Sequence, residues 1–210
     1  QLTTTYAEEG KKKEVVSYMD GSMRNRQSVT KTNTEENVIV GETIYDYQGR
    51  PAVNVLPVPT LMENCDPSLS NTIKHYPNFN LNTSGDAYSK ADFNLDGSAC
   101  STSTEPMNSS NGAAQYYSAN NPNKDNQQAY LPDALGFPFS VVEYTPDNTG
   151  RIRRQSGVGS EFQLESDHET KYFYGKPDQL ELDRLFGSEV GYSKHYKKNM
   201  VIDPNGQVTI

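Results

Sequence analysis

One short pattern constrains this chain more than any other. The tetrad Asp-x-x-Gly, followed by Arg or Gln, stands at Asp46-Tyr-Gln-Gly49-Arg50, at Asp147-Asn-Thr-Gly150-Arg151 and at Asp203-Pro-Asn-Gly206-Gln207. Asp at the first and Gly at the fourth position suit a type I turn: the carboxylate accepts from nearby backbone N–H groups, and Gly tolerates the positive φ that leads into the return strand. An altered copy, Asp20-Gly21-Ser-Met-Arg24, opens on Asp-Gly, itself a two-residue hairpin signal. The flanks alternate with a period of two. Val15–Tyr18, Thr43–Tyr45, Phe139–Tyr144 and Asn199–Ile202 precede the turns, and Arg26–Val29, Ala52–Leu56, Ile152–Gln155 and Val208–Ile210 follow them. Short, Tyr-rich alternating runs joined by Asp/Gly turns are antiparallel hairpins, so the expected class is mainly β.

A further strand is expected at Thr170–Tyr174, ahead of one convincing helix over about Pro177 to Phe186. That helix has Pro in the first turn, Leu182, Leu185 and Phe186 on an apolar face, and Gly187 in the stop position. Between the hairpin regions 1–56 and 139–210 lies a stretch, 57–138, rich in Asn, Ser, Thr and Pro and poor in periodicity. A connection of that length needs a reason. Either it packs over the sheet, held by caps, by Phe79, Tyr88, Tyr116 and Tyr117 and by an ion, or it is partly disordered. Gln1 is not an initiator methionine and Val208-Thr209-Ile210 reads as a strand cut in its middle, so the 210 residues read as a piece of a larger shell.

Composition supplies exclusions. A net charge of −8 argues against binding nucleic acid or anionic membranes, both of which favour a basic surface, and Lys11-Lys12-Lys13 is too short to reverse the balance. No run of apolar residues is long enough for a membrane-spanning helix. The chain is apolar-poor, yet its 14 Tyr against 7 Phe suit half-buried sheet faces, where the ring packs and the hydroxyl stays wet. Catalytic constellations are missing: His75, His168 and His195 lack metal-ligand spacing, and no nucleophile elbow or phosphate loop appears.

Tyr-Asp followed by Gly-Arg within a hairpin resembles the RHS/YD-repeat family, and Tyr45-Asp46-Tyr-Gln-Gly49-Arg50 matches its unit closely. Tyr144-Thr-Pro-Asp147-Asn-Thr-Gly150-Arg151 carries two extra residues between Tyr and Asp, and the Asp203 copy has Gln207 in place of Arg. The stretches Val16–Val29, Asp147–Gly159 and His168–Tyr174 are similar to the head region of large RHS-type proteins exported by bacteria that use type 9 secretion. The resemblance implies hairpins winding into a hollow β-shell, at the cell surface or secreted, that encloses a toxin or serves adhesion. Its partners would be the remainder of its own chain, export machinery or a toxin cargo.

Four smaller motifs have competing readings. Asp92-Phe-Asn94-Leu-Asp96-Gly97-Ser98 has oxygen ligands at alternate positions and Gly at the sixth, the opening half of a calcium loop, but Ser103 replaces the closing Glu; the alternative is an Asx-rich turn. Cys65 and Cys100 are either one disulfide or two free thiols. Asp203-Pro-Asn-Gly206 superficially resembles the self-cleaving end of RHS cores, against which stands an ordinary hairpin turn. Arg151-Ile-Arg153-Arg154 reads as a solvated strand face or a protease site. Taken together, the sequence points to a non-enzymatic scaffold segment with structural residues Tyr45, Asp46, Gly49, Arg50, Tyr144, Asp147, Gly150, Arg151, Asp203 and Gly206. The competing function is a surface recognition module in which Tyr-rich hairpins stack on sugars and the Asp92 loop holds calcium.

Overall fold

A computed structural model describes residues 1–32, 37–60, 73–89, 92–93, 104–124 and 126–210. Among the described residues ten strands form one sheet: β1 (Leu2–Tyr6), β2 (Lys12–Met19), β3 (Asn25–Thr32), β4 (Ile39–Tyr45), β5 (Pro51–Pro59), β6 (Phe139–Tyr144), β7 (Ile152–Gln155), β8 (Thr170–Gly175), β9 (Lys198–Ile202) and β10 (Val208–Thr209). Every strand pairs antiparallel with its neighbour in the chain, so the spatial order is the sequence order. β1, whose Thr-rich run lies outside the Asp-x-x-Gly flanks, was not legible from the repeats.

The turns share one geometry. In 20–24, 46–50 and 203–207 the first residue's N–H donates to the fifth carbonyl, and the fourth N–H donates back to the first carbonyl. This is a type I turn closed by a left-handed residue that forms a G1 bulge. Met23 occupies that left-handed position at φ 61, where Gly49 and Gly206 stand elsewhere, so Asp20-Gly21 is the start of the five-residue form rather than a two-residue turn. Two further copies escaped the sequence pattern because they do not begin with Asp: Ala7–Lys11 and Asn82–Asp86 close with the same bonds, on Gly10 and Gly85.

The described parts of the long connection lie over one face of β3–β6. Val29, Val40, Ile44, Val53, Val55, Phe139 and Val141 are buried there. From the connection, Phe93, Met107, Ala113 and Ala114 join the cluster, with Phe79, Tyr88, Tyr116 and Tyr117 packed around it. Each fully buried aliphatic or aromatic side chain contributes about 1.5–3 kcal/mol. Polar pins fix the layer: the buried Gln27 amide donates to Tyr76 O and accepts from Tyr76 N, as a paired strand would. Asn80 donates to Glu42 from one end of its amide and accepts the Ala113 N–H at the other. That bond seats α1 (Gly112–Tyr116), whose Gly112 lies so close to the Phe79 carbonyl, at φ 54, that no side chain fits.

The second helix, α2 (Gln179–Phe186), begins two residues later than the sequence suggests, with Asp178 as its N-cap residue. Its apolar face is only partly used: Leu182 is buried, whereas Leu185 and Phe186 are exposed, a correction to the face read from spacing. Among the described residues no helix is long and apolar enough to cross a membrane.

Candidate functional site

In an antiparallel meander, alternate turns fall at the same end of the sheet. The turns β2–β3, β4–β5 and β6–β7 therefore share one end, and their side chains make a ladder. Asp20 accepts from Arg24 Nε at 2.8 Å and pairs with its Nη2 at 2.6 Å. Asp46 holds Arg50 in the same fork, at 2.7 Å to Nε and 2.7 Å to Nη2. Each guanidinium then lies over the Tyr ring of the next hairpin: Arg24 over Tyr45 at 4.8 Å, Arg50 over Tyr144 at 4.2 Å and Arg151 over Tyr174 at 5.2 Å from the centroid. The Tyr hydroxyl completes the rung by donating to the carbonyl that follows that Arg. Tyr45 donates to Asn25 O at 2.9 Å, Tyr144 to Pro51 O at 3.0 Å and Tyr174 to Ile152 O at 2.9 Å. A planar cation over an aromatic face is attractive, and at Arg24 and Arg50 the paired carboxylate fixes the guanidinium plane.

Electrostatics follow the geometry. Arg24 holds the Asp20 carboxyl well below the usual carboxylate range, at about 2. Burial pushes the Tyr144 hydroxyl up. Gly49 serves twice: its φ of +81° closes the turn, and the Arg24 guanidinium occupies the space a Cβ would need.

Two expected positions depart from the pattern. In the β6–β7 turn, Thr145 takes the place Asp46 holds, its N–H donating to Arg151 O at 2.8 Å. Asp147 instead accepts from the Thr145 hydroxyl at 2.6 Å and the Thr149 hydroxyl at 2.7 Å, bonds that lower its carboxyl to about 2. The two inserted residues lengthen the loop, so Asp147 caps the tip, and Asn148 and Gly150 supply positive φ. Asp203 and Gly206 do form a hairpin turn, with Asp203 accepting from the Asn205 and Gln207 N–H groups. That turn joins β9 to β10 and so lies at the opposite end of the sheet from the ladder. The segment 175–197, with α2, stands where the next ladder turn would be.

A second constellation lies on the core-facing side of β6–β8. Glu143, with a fully buried side chain, accepts from Arg153 and Arg154, and Arg154 also pairs with Glu165 and, at 3.6 Å, with Glu169. Lys171 pairs with Asp167 at 2.8 Å and Glu169 at 3.7 Å. The loop carrying these acids places Glu165 at φ 72 and Asp167 at φ 64. It is held by Gln163, whose Nε2 donates to Gly157 O at 3.0 Å. Arg154 is therefore not part of a solvated face, since its side chain is 12% exposed, whereas that of Arg153 is 40% exposed. The sequence signal was weak, since acids abound in this chain and burial of Glu143 and Glu169 depends on a loop that folds back. The arrangement neutralises buried charge and clamps three strands.

Of the calcium-loop residues, Asp92 is described: its Oδ2 accepts from Ser89 N at 2.6 Å and Ser89 Oγ at 2.8 Å, as a turn cap does. Asn94, Asp96 and Ser98 lie outside the described residues, as do Cys65 and Cys100. Among the described residues no group of three or more His, Cys, Asp and Glu side chains is placed to hold a metal ion.

Comparison with curated proteins gives no match. A family model described as a domain of unknown function, DUF6443, matches residues 1–108, which covers β1–β5, the first two rungs' Asp–Arg pairs and the start of the packed connection. That match extends over more than half of the 210 residues, and the chain belongs to the DUF6443 family.

Proposed function

We propose that the chain is a non-catalytic structural segment of a secreted RHS/YD-repeat protein, a length of wall in a shell that encapsulates or delivers a toxin. The observation that carries this reading is the ladder: Arg24–Tyr45, Arg50–Tyr144 and Arg151–Tyr174 join four successive hairpins by one repeated contact. A contact that recurs from hairpin to hairpin stiffens a sheet along its direction of growth, which suits a wall. The Arg154 cluster supports the same role, because its charges are engaged with one another rather than turned to a cleft. The partners under this reading are the remainder of its own chain, with export machinery or a cargo. The test is a cryo-EM structure of the secreted gene product. Rungs at Tyr45, Tyr144 and Tyr174 within a closed wall around a cargo are expected; a sheet open to solvent on both faces overturns the reading.

A second reading, glycan recognition at the cell surface, has one observation in its favour. A groove of about 410 Å³ is lined by Lys74, His75, Tyr76, Asn78, Asn111 and Gln115, a mixture of ring faces and amides suited to a sugar. Glycan-array binding lost in Tyr76→Ala, and lost again with a chelator, would favour it; binding to no glycan excludes it.

A further inference from the structure

The packed connection carries a second groove, which neither reading uses. It measures about 540 Å³ and lies where four segments meet: the turn 82–86, the run 106–109, the residues 118–120 that follow α1, and the turn 133–136. That volume falls within the range of small-molecule sites. The walls are tied to one another. Met107 N–H donates to Gly136 O at 2.8 Å, Asn108 N–H to Leu81 O at 2.9 Å and Ala134 N–H to Tyr117 O at 2.8 Å, while Asn120 Nδ2 donates to Ser109 Oγ at 3.2 Å. A groove fixed by its own framework does not have to be ordered by what enters it.

The polar side chains on these walls are only half used. Asn108 Oδ1 accepts from Ser110 N–H, and Asp133 Oδ1 accepts from Leu135 N–H at 2.8 Å. Asn108 Nδ2, Asn120 Oδ1, Asp133 Oδ2 and the Thr83 hydroxyl have no hydrogen-bond partner among the described residues. Leu135 adds an apolar element at some cost. Its backbone stands at φ 51, in the left-handed region, and its side chain is 63% exposed. Such strain persists only where the surroundings impose it, and it concentrates at functional positions. The free groups select the ligand. No Lys, Arg or His stands among the described lining residues and Asp133 carries a negative charge, so an anion finds no counter-charge. A cationic side chain would be met by acceptors alone, whereas here an amide donor and a hydroxyl stand beside the two acceptors. Sugar hydroxyls, which donate and accept, match that mixture. The C–H face of a sugar ring would pack on Leu135 and Pro106.

We propose that this groove binds a neutral saccharide, with Asn108, Asn120, Asp133 and Thr83 taking its hydroxyls and Leu135 its apolar face. The site is separate from the ladder and from the groove at Tyr76, so it goes beyond both readings above. The 210-residue chain on an array of neutral, uronic-acid and amine-bearing glycans, followed by calorimetric titration of the strongest binder, tests it. A neutral glycan is expected to bind best. Leu135→Gly places glycine at a left-handed position, so the fold is kept while the apolar wall is lost. Asp133→Asn keeps the oxygen that accepts the Leu135 N–H and removes the charge. Each variant should weaken binding by about tenfold or more, with thermal melts showing the fold intact, and Tyr76→Ala should leave the affinity unchanged. Binding to no neutral glycan, stronger binding to a uronic-acid or amine-bearing one, unchanged affinity in either groove variant, or loss in Tyr76→Ala overturns the proposal. Each of these results leaves the rungs, and the scaffold reading built on them, untouched.

Discussion

Each rung is made by one Tyr with two functions, and substitution separates them. Tyr144→Phe keeps the ring under Arg50 and loses the hydroxyl bond to Pro51 O, a cost of about 1 kcal/mol. Tyr144→Ala loses the ring as well, and about 2–3 kcal/mol is expected from lost packing and cation–π attraction. Urea denaturation of the two variants checks the order. The Asp20 carboxyl offers a pH test. Its folded value, about 2, lies below the unfolded value of about 3.9, so its contribution is complete above the unfolded value and is lost as the pH falls through the folded one. NMR titration of Asp20 should give a midpoint near 2 in the wild type, rising towards about 3.9 in Arg24→Ala. At this scale the sequence was informative where a residue's role is local. Asp46, Gly49 and Arg50 form the turn their spacing implies, because all three act within five residues. Asp147 lies in the expected turn and accepts from Thr149 N–H, but with two residues inserted Thr145 takes the position that Asp46 holds in its own hairpin.

Among the elements, α2 shows how a helical face divides. Leu182 is buried while Leu185 and Phe186 face outward, although all three fall on the apolar side by spacing. Leu182→Ala should cost about 2–5 kcal/mol, and Leu185→Ala should stay within about 0.5 kcal/mol in the isolated chain. Thermal melts of the two variants decide between a filled and a vacant face. Strands β6 and β7 were read with their present bounds because their alternation is complete. β1 was not seen, as Thr-rich runs carry no apolar alternation to mark them. The Arg154 cluster was missed for a different reason: its partners come from β6, β7 and the loop to β8, and no spacing along the chain brings Glu143 to Glu165.

Over the whole molecule, strict chain-order pairing leaves one place where distant residues must meet. Among the described residues nine strand pairings build the sheet, and eight of them join strands separated by shorter connections, the longest being the helical segment before β9. The ninth, β5 against β6, spans 60–138 and rests on three residue pairs, Val53–Val141, Asn54–Ser140 and Val55–Phe139. Closing so long a connection carries an entropy cost that the hairpins on either side do not bear. The chain should therefore fold as two fast-forming halves with a slow seam, since local pairings form before remote ones. In stopped-flow refolding, Val141→Ala is expected to slow the final phase, and Val16→Ala chiefly to speed unfolding; equal effects on the refolding rate would exclude a rate-limiting seam. During synthesis the first half would wait, already paired, for about eighty residues to emerge before its core could be closed.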